Sequence, residues 1–212
     1  MVDTADAAEM VAEAAEETGA DAEANRFRNR AALLIAVLAA VLAIGGLGGG
    51  NATDDMVGEN IHASDAWAFY QAKNARQTMY EIAVDDLEAR LAAPGVDAAT
   101  RANLERRLER YRATIARYDS EPDRAAPNDP TRGDGLRQIR ARAQAHEAAR
   151  DVASARDNNF DLAEVFLQLA LVLGSVAILA LNRPTFWLSV GLGVVGTALT
   201  LNGFFLLVPL PF

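Results

Sequence analysis

The chain has no cysteine, only two histidines and a single lysine, Lys73. Without cysteine it has no disulfide, no thiolate nucleophile and no cysteine-based metal site. His62 and His146 lie on different predicted helices, and neither has a ligand-type residue four positions away, so we expect no metal site. Phosphate-binding, serine-hydrolase and zinc-protease motifs are also absent from the sequence. We therefore predict no catalytic residue, no cofactor and no enzymatic activity.

Basic charge is missing from the start of the chain. The formal net charge is -9, and residues 1–25 carry eight acidic side chains and no basic one. No basic patch interleaved with aromatic residues occurs elsewhere, so we expect no nucleic-acid partner. Residues 1–25 are interpreted as an acidic N-terminal arm in the cytoplasm.

Long apolar runs are the main positive feature of the sequence, and they occupy residues 31–47, 162–181 and 185–207. A helix needs about 20 mostly apolar residues to cross the hydrocarbon core, and Gly48 to Gly50 extend the shortest run. The sequence predicts transmembrane helices at residues 26–50, 162–182 and 184–208, with an insert at residues 51–161. The acidic arm is unlike the start of a signal peptide, so the first run is interpreted as an anchor.

Arginine placement predicts the orientation of the spans, because cytoplasmic flanks are enriched in basic residues. Arg26, Arg28 and Arg30 precede the first run, and Arg183 lies in the short turn between the last two. Three spans that start in the cytoplasm place both sites on the same side. We expect a multi-pass protein of the inner membrane, with a cytoplasmic N-terminus and a periplasmic or extracellular insert.

Polar and small residues within the spans are further candidates. Glu164, Gln168 and Asn202 are the polar ones, since such groups in a span often serve a function, and Glu164 is close enough to the boundary for a headgroup-level role. Small residues four apart favour close helix packing; the pairs are Ala36 and Ala40, Ala39 and Ala43, Gly46 and Gly50, and Gly193 and Thr197. They predict a specific seam between helices of one chain or between copies, although alanine and glycine are common in such helices anyway.

The first part of the insert has the periodicity of a helix over residues 60–93. Ser64 or Asp65 caps its predicted start, and Pro94 and Gly95 end it. Spacings of four and three predict an a/d seam, formed by Ile61, Asp65, Ala68, Ala72, Ala75, Met79, Ile82 and Asp86. A second stripe contains Tyr80, Val84, Leu87 and Leu91. The alanine-rich seam suits close packing against another helix.

Two more helices complete the insert. One begins near Asp97, and its apolar stripe consists of Leu104, Leu108, Tyr111, Ile115 and Tyr118. Prolines and glycines mark residues 119–135 as a linker. A third helix begins near Leu136, places Ile139, Ala143, His146, Ala153 and Phe160 on one face, and continues into the second span. The predicted fold class is an all-α membrane protein with three transmembrane helices and a long helical coiled-coil insert between the first and second. Whether its seams close within one chain or between copies is left open.

Residues 63–73 read Ala-Ser-Asp-Ala-Trp-Ala-Phe-Tyr-Gln-Ala-Lys. This string resembles the signature of the bacterial domain-of-unknown-function family 4337. The layout of the chain from Arg26 onward is similar to that family as well, with one span, a helical insert and two closely spaced spans. The resemblance implies the architecture, and it implies no activity.

The motif supplies the candidate partner or interface residues, which are Ser64, Asp65, Trp67, Phe69, Tyr70, Gln71 and Lys73. Its aromatic side chains have three interpretations. They pack against the third helix, they dock a partner, or they form an interfacial belt if residues 48–60 fold back towards the membrane.

The sequence favours a non-enzymatic membrane protein that acts as a structural, scaffolding or accessory subunit. We expect its partners to be the lipid bilayer and either further copies of itself or a membrane protein complex. The alternative is a channel or transporter subunit, in which the spans of several copies line a pathway with Gln168, Ser175, Thr197, Thr200 and Asn202.

Overall fold

The computed structural model describes residues 4–210, with side chains described from Ala22 onward, and the regular structure of this range is helical. Four helices follow one another, namely α1 at Thr4–Ala92, α2 at Ala98–Asp119, α3 at Leu136–Ala180 and α4 at Arg183–Phe205. Residues 4–210 hold no β-strand, only an isolated bridge between Pro122 and Gly133. The prediction of an all-α fold is confirmed.

Three of the helices contain stretches that are long and apolar enough to cross a membrane. These stretches lie in α1, α3 and α4, as the three apolar runs predict. Backbone groups in hydrocarbon must form their hydrogen bonds within the segment. The glycine-rich residues 45–50 are helical although glycine is a poor helix former, as a span through hydrocarbon would require.

The chain divides into two compact units, and α1 and α3 each contribute to both. The membrane unit contains the described residues up to Thr53 and from Ala153 onward, and the insert unit is Asp54–Val152. In the membrane unit the core consists of Leu38, Leu167 and Ala170, surrounded by partly buried leucine and valine side chains. A fully buried hydroxyl, that of Ser189, donates a 2.6 Å hydrogen bond from α4 to the Ala170 carbonyl of α3.

Glycines allow close helix contacts in the membrane unit. A Cβ atom on Gly48 would lie 2.6 Å from the Phe160 ring, and one on Gly193 would lie 2.7 Å from Leu38. The predicted role of Gly193 is therefore confirmed. The residues of the predicted α1 pairs are exposed and form no seam within the chain, so for them only the oligomeric half of the prediction stands; they are Ala36, Ala39, Ala40, Ala43, Gly46 and Gly50. Small residues recur on several faces of α1, and the bulk of Phe160 selects the face that contains Gly48.

In the insert unit, α1 buries a different face from the predicted seam. Buried and half-buried side chains recur at spacings of four and three, and they are Glu59, Ala63, Ala66, Tyr70, Lys73, Gln77, Tyr80, Val84, Leu87 and Leu91. The predicted seam is exposed instead, with 53% of Ile61, 69% of Met79 and 64% of Ile82 accessible. The internal face therefore contains the second predicted stripe, and it extends further towards the N-terminus than that stripe.

Aromatic packing explains which face α1 buries. The Tyr80 ring meets Tyr111 and Tyr118 of α2 edge to face, at centroid distances of 5.3 and 5.8 Å. Large aromatic side chains bury much more surface than alanine, so these contacts favour burial of the face that contains Tyr80.

The predicted helix start at Ser64 or Asp65 is wrong. Nothing between Asn51 and Asn60 is a strong helix breaker, and α1 passes through this region without interruption.

The helix α2 begins where the sequence predicts. The Asp97 carboxylate accepts hydrogen bonds from the backbone N–H groups of Ala99 and Thr100, at 3.0 and 2.9 Å. Hydrogen bonding from the side chain and backbone of Thr100 holds the pKa of Asp97 below its ordinary value. The predicted stripe from Leu104 to Tyr118 is half-buried.

The predicted linker is an ordered segment of turns. Its two ends meet at the bridge between Pro122 and Gly133, and Gly133 adopts a φ of 126°, which suits a residue without a Cβ. An ion pair of 2.7 Å between Arg132 and Asp123 lies beside the bridge. The helix α3 then starts at Leu136 and continues unbroken to Ala180, as the sequence predicts.

Candidate functional site

The motif at residues 63–73 lies in the middle of α1, where its side chains divide between two faces. Ala63, Ala66 and Lys73 are buried and Tyr70 is half-buried. The exposed members are Ser64, Asp65, Phe69 and Gln71. Because a helix points residues three and four apart in the same direction, the motif serves internal packing on one side and leaves the other side accessible.

Trp67 stands at the edge of the internal face. Its indole N–H donates a 2.9 Å hydrogen bond to the Glu147 carboxylate of α3. Its ring contacts Tyr70 edge to face at a centroid distance of 5.5 Å. These contacts agree with the packing interpretation of the aromatic residues. The interfacial-belt interpretation is wrong, because residues 48–60 are helical and do not fold back.

Lys73 is the most heavily engaged residue of the motif. It is buried, and its ammonium group donates to the backbone carbonyl of Asp134. It also lies 3.9 Å from the Glu121 carboxylate and 4.9 Å from the centre of the Tyr118 ring. A buried cation requires such partners. The single lysine of the chain therefore joins α1 to the end of α2 and to the linker.

The two histidines, which the sequence places on separate helices, come together in the structure. The rings of His62 and His146 have centroids 5.3 Å apart, and His146 Nδ1 lies 2.6 Å from Glu59 Oε2. The signal that sequence analysis missed is the position of Glu59, four residues before Ala63 on the internal face. No group of His, Cys, Asp or Glu side chains from Ala22 to Leu210 is arranged to hold a metal ion.

The predicted a/d seam of α1 forms an accessible surface that we call the outer stripe. It consists of Ile61, Asp65, Ala68, Ala72, Ala75, Met79, Ile82 and Asp86. Its large apolar members are more than half exposed, and its acidic members are at positions 65 and 86. The Asp86 carboxylate is paired with Arg90 on the same helix at 2.8 Å. The outer stripe is therefore an apolar surface with charge near its ends.

A hydrogen bond between two side chains of α2 lies next to the aromatic residues that α1 buries. Arg107 donates a 3.3 Å hydrogen bond to the Tyr111 hydroxyl. This bond and the nearby positive charge lower the pKa of Tyr111 from its ordinary value. Tyr111 is in contact with Tyr80, so the arrangement orients an internal aromatic pair rather than a reactive group.

The intramembrane polar candidates do not converge. Glu164 and Gln168 are exposed and pair with each other, with Gln168 Nε2 donating to Glu164 Oε1 at 2.7 Å. Asn202 is buried, donates to the Asn159 side chain at 2.8 Å, and both donates to and accepts from the backbone of Val208. The Asn159 partner was not predicted, because its position becomes clear only when α3 and α4 pack together.

A family model described as a domain of unknown function, DUF4337, matches residues 27–206. The match covers most of the chain and confirms the resemblance predicted from the motif. No curated protein and no solved structure matches the chain.

Proposed function

Because the chain belongs to the DUF4337 family, whose description assigns no activity, we propose a function from the geometry of the protein itself. It is a non-enzymatic membrane protein that acts as a structural or scaffolding subunit. It associates with a second copy of itself through the outer stripe of α1. The observation that carries the proposal is that α1 has two faces with heptad spacing. One is buried within the chain, and the other, the outer stripe, is exposed.

The outer stripe supports self-association for reasons of period and position. Its members step by four and three, as in helices that pack with knobs into holes. On a heptad wheel the stripe is nearly opposite the internal face of α1, so the contacts within the chain leave it uncovered. Ala68, Ala72 and Ala75 at its centre allow two backbones to approach closely. A second copy supplies a surface of matching period, as a two-fold interface requires.

Charge supports a parallel arrangement of the two copies. Asp85 and Arg90 flank the outer stripe on opposite sides, at positions equivalent to g and e of a heptad. In parallel coiled coils, opposite charges at these positions pair between helices. Both copies are inserted in the same membrane, which also favours equal direction for their α1 helices.

Localisation is part of the proposal. We place the protein in the inner membrane with its N-terminus in the cytoplasm and the insert unit outside. Support comes from the basic residues that flank the spans, because three successive spans place them all on one side of the membrane; they are Arg26, Arg28 and Arg30 before the first run and Arg183 between the last two.

The alternative of a channel or transporter subunit has less support. Ser175, Thr197 and Thr200 donate their hydroxyl groups to carbonyls of their own helices, at 2.9, 2.7 and 2.9 Å. Ser175 and Gln168 are exposed, whereas Thr200 and Asn202 are buried. These groups therefore do not share one exposed face, as a pathway lined by several copies would require. Ion flux in reconstituted vesicles distinguishes the two functions, because a scaffold leaves the bilayer sealed.

The mass of the protein in lipid nanodiscs tests the proposal. The wild-type chain should occur as a dimer or larger oligomer. Ala72→Glu places a charge on the outer stripe and should give monomers. The matched control Asn74→Glu adds the same charge to an exposed position on another face of the same turn, and should remain oligomeric. A wild-type chain that is monomeric at every protein concentration would contradict the proposal.

A further inference from the structure

The membrane unit contains a cavity of about 510 Å³ that is rich in arginine. Its lining residues are Glu23, Arg26, Phe27, Arg30, Arg183, Phe186 and Trp187, and we call it the arginine pocket. Three guanidinium groups face one carboxylate, so positive charge is in excess. That carboxylate, Glu23, accepts a hydrogen bond from Arg183.

Aromatic side chains form the remaining wall of the arginine pocket. Phe27 and Phe186 meet edge to face at 5.4 Å, and Phe186 and Trp187 at 5.8 Å. Trp187 remains 68% exposed. Tryptophan and arginine together are typical of the headgroup region of a bilayer, where apolar and wet environments meet.

The position of the arginine pocket along the chain agrees with a location in the headgroup region. Arg30 directly precedes the first apolar run, and Arg183 is the first residue of α4. Both residues therefore lie where a membrane-spanning helix enters the hydrocarbon. Phe27 contacts Phe186 and Leu38 contacts Gly193, so α1 and α4 run in the same direction and the pocket lies where both apolar runs begin.

An apolar groove continues from the arginine pocket along the same two helices. It has a volume of about 320 Å³ and is lined by Leu34, Leu38, Val190, Gly193, Val194, Thr197, Ala198 and Leu201. Leu34 is one turn beyond Arg30, and Val190 is about one turn beyond Trp187. The only side-chain polar group in the groove, the Thr197 hydroxyl, donates to the Gly193 carbonyl at 2.7 Å. The groove is therefore suited to a hydrocarbon chain.

The length of the groove corresponds to one leaflet. From Val190 to Leu201, α4 rises by roughly 16 Å at 1.5 Å per residue. The hydrocarbon core of a bilayer is about 30 Å thick. A molecule with its charged group in the arginine pocket would extend to about the middle of the membrane.

We propose that the arginine pocket and the groove together bind one anionic phospholipid. The phosphodiester lies against Arg26, Arg30 and Arg183, because guanidinium groups recognise phosphate oxygens with two parallel hydrogen bonds. One acyl chain lies in the groove between α1 and α4. A choline headgroup is disfavoured, since its quaternary ammonium group would face the arginines. The site is independent of the outer stripe and of self-association.

Native mass spectrometry of the full-length protein in mild detergent tests the site. The protein is titrated with phosphatidylglycerol or phosphatidylcholine of identical acyl chains. One phosphatidylglycerol should bind with preference over phosphatidylcholine. The double variant Arg30→Gln/Arg183→Gln should lose at least about tenfold in affinity for phosphatidylglycerol. The control Arg28→Gln removes one positive charge from a neighbouring residue outside the pocket and should retain wild-type binding, whereas Arg30→Gln alone should weaken it.

Two further measurements test the proposal in other ways. Glu23→Gln removes the competing carboxylate and should raise phosphatidylglycerol affinity about two- to fivefold, whether or not the double variant folds. Inorganic phosphate should not displace the lipid, because it lacks the acyl chain. Equal binding of the two lipids, equal losses in Arg28→Gln and the double variant, no gain in Glu23→Gln, or displacement by inorganic phosphate would each overturn the proposal.

Discussion

The Lys73 ammonium group lies 4.9 Å from the centre of the Tyr118 ring, near the end of α2. The same group donates to the Asp134 carbonyl in the linker, and only 8% of the residue is exposed. A cation over an aromatic face is stabilised by the ring quadrupole, and more strongly when water is excluded. One side chain of α1 therefore holds two neighbouring segments of the insert unit in place.

Replacing this side chain should loosen the linker. Lys73→Met keeps an apolar stem but removes the charge, and we expect a loss of about 1–3 kcal/mol in unfolding free energy. Amide hydrogen exchange, followed by mass spectrometry, should accelerate over residues 120–135. Lys73→Arg should restore little, because its planar guanidinium differs in shape from an ammonium group. Unchanged exchange in the linker of Lys73→Met would contradict this role, and the exposed Arg76→Met serves as control.

The two heptad faces of α1 should differ in their effect on stability. Leu87 is 4% exposed on the internal face, and Leu87→Ala should lower the unfolding free energy by about 2–5 kcal/mol. Ile82 is 64% exposed on the outer stripe, and Ile82→Ala should change the stability of a dissociated chain by less than about 0.5 kcal/mol. Urea unfolding in detergent, monitored by circular dichroism, measures both. Comparable losses would show that the outer stripe also packs within one chain.

The N-cap of α2 should make stability depend on pH. The pKa of Asp97 is lower in the folded protein than its ordinary value of 3.8. Its carboxylate therefore contributes stability above pH 3.8, and this contribution is lost as the pH falls through the folded-state pKa. Thermal unfolding should show Asp97→Ala below wild type at neutral pH, with the difference shrinking below pH 3.8. The control Asp97→Asn keeps a capping oxygen that does not titrate. A stability difference between wild type and Asp97→Ala that does not change with pH would contradict the assignment.

Helix boundaries set by strong local signals could be predicted from the sequence. Pro94 and Gly95 end α1 near the predicted residue, Asp97 caps α2, and α3 begins at Leu136 and continues into the second span. The apolar runs predicted three helices able to cross a membrane, as the structure has them. These features depend on residues that are close together in the sequence or on the length of an apolar run. Both can be read directly from the sequence.

The choice of face on α1 could not be predicted. Two stripes share the heptad period, and the one that is buried contains Lys73 and Gln77, which sequence patterns treat as surface residues. Its selection depends on Tyr111, Tyr118 and Glu147, which belong to other helices. The same holds for Asn159 beside Asn202 and for Arg183 beside Arg30. Contacts between distant segments depend on side-chain shape and on the residues of the partner helix. The spacing of apolar residues along one helix does not identify those partners.

Disulfide crosslinking tests the central claim, self-association through the outer stripe, most directly. The chain has no cysteine, so Ala75→Cys and Asn74→Cys each introduce a single thiol on adjacent residues that point about 100° apart on the helix. A disulfide requires Cα atoms within about 7 Å. In native membranes under mild oxidation, Ala75→Cys should form a covalent dimer and Asn74→Cys should remain monomeric. Crosslinking at neither position, or equally at both, would contradict the account.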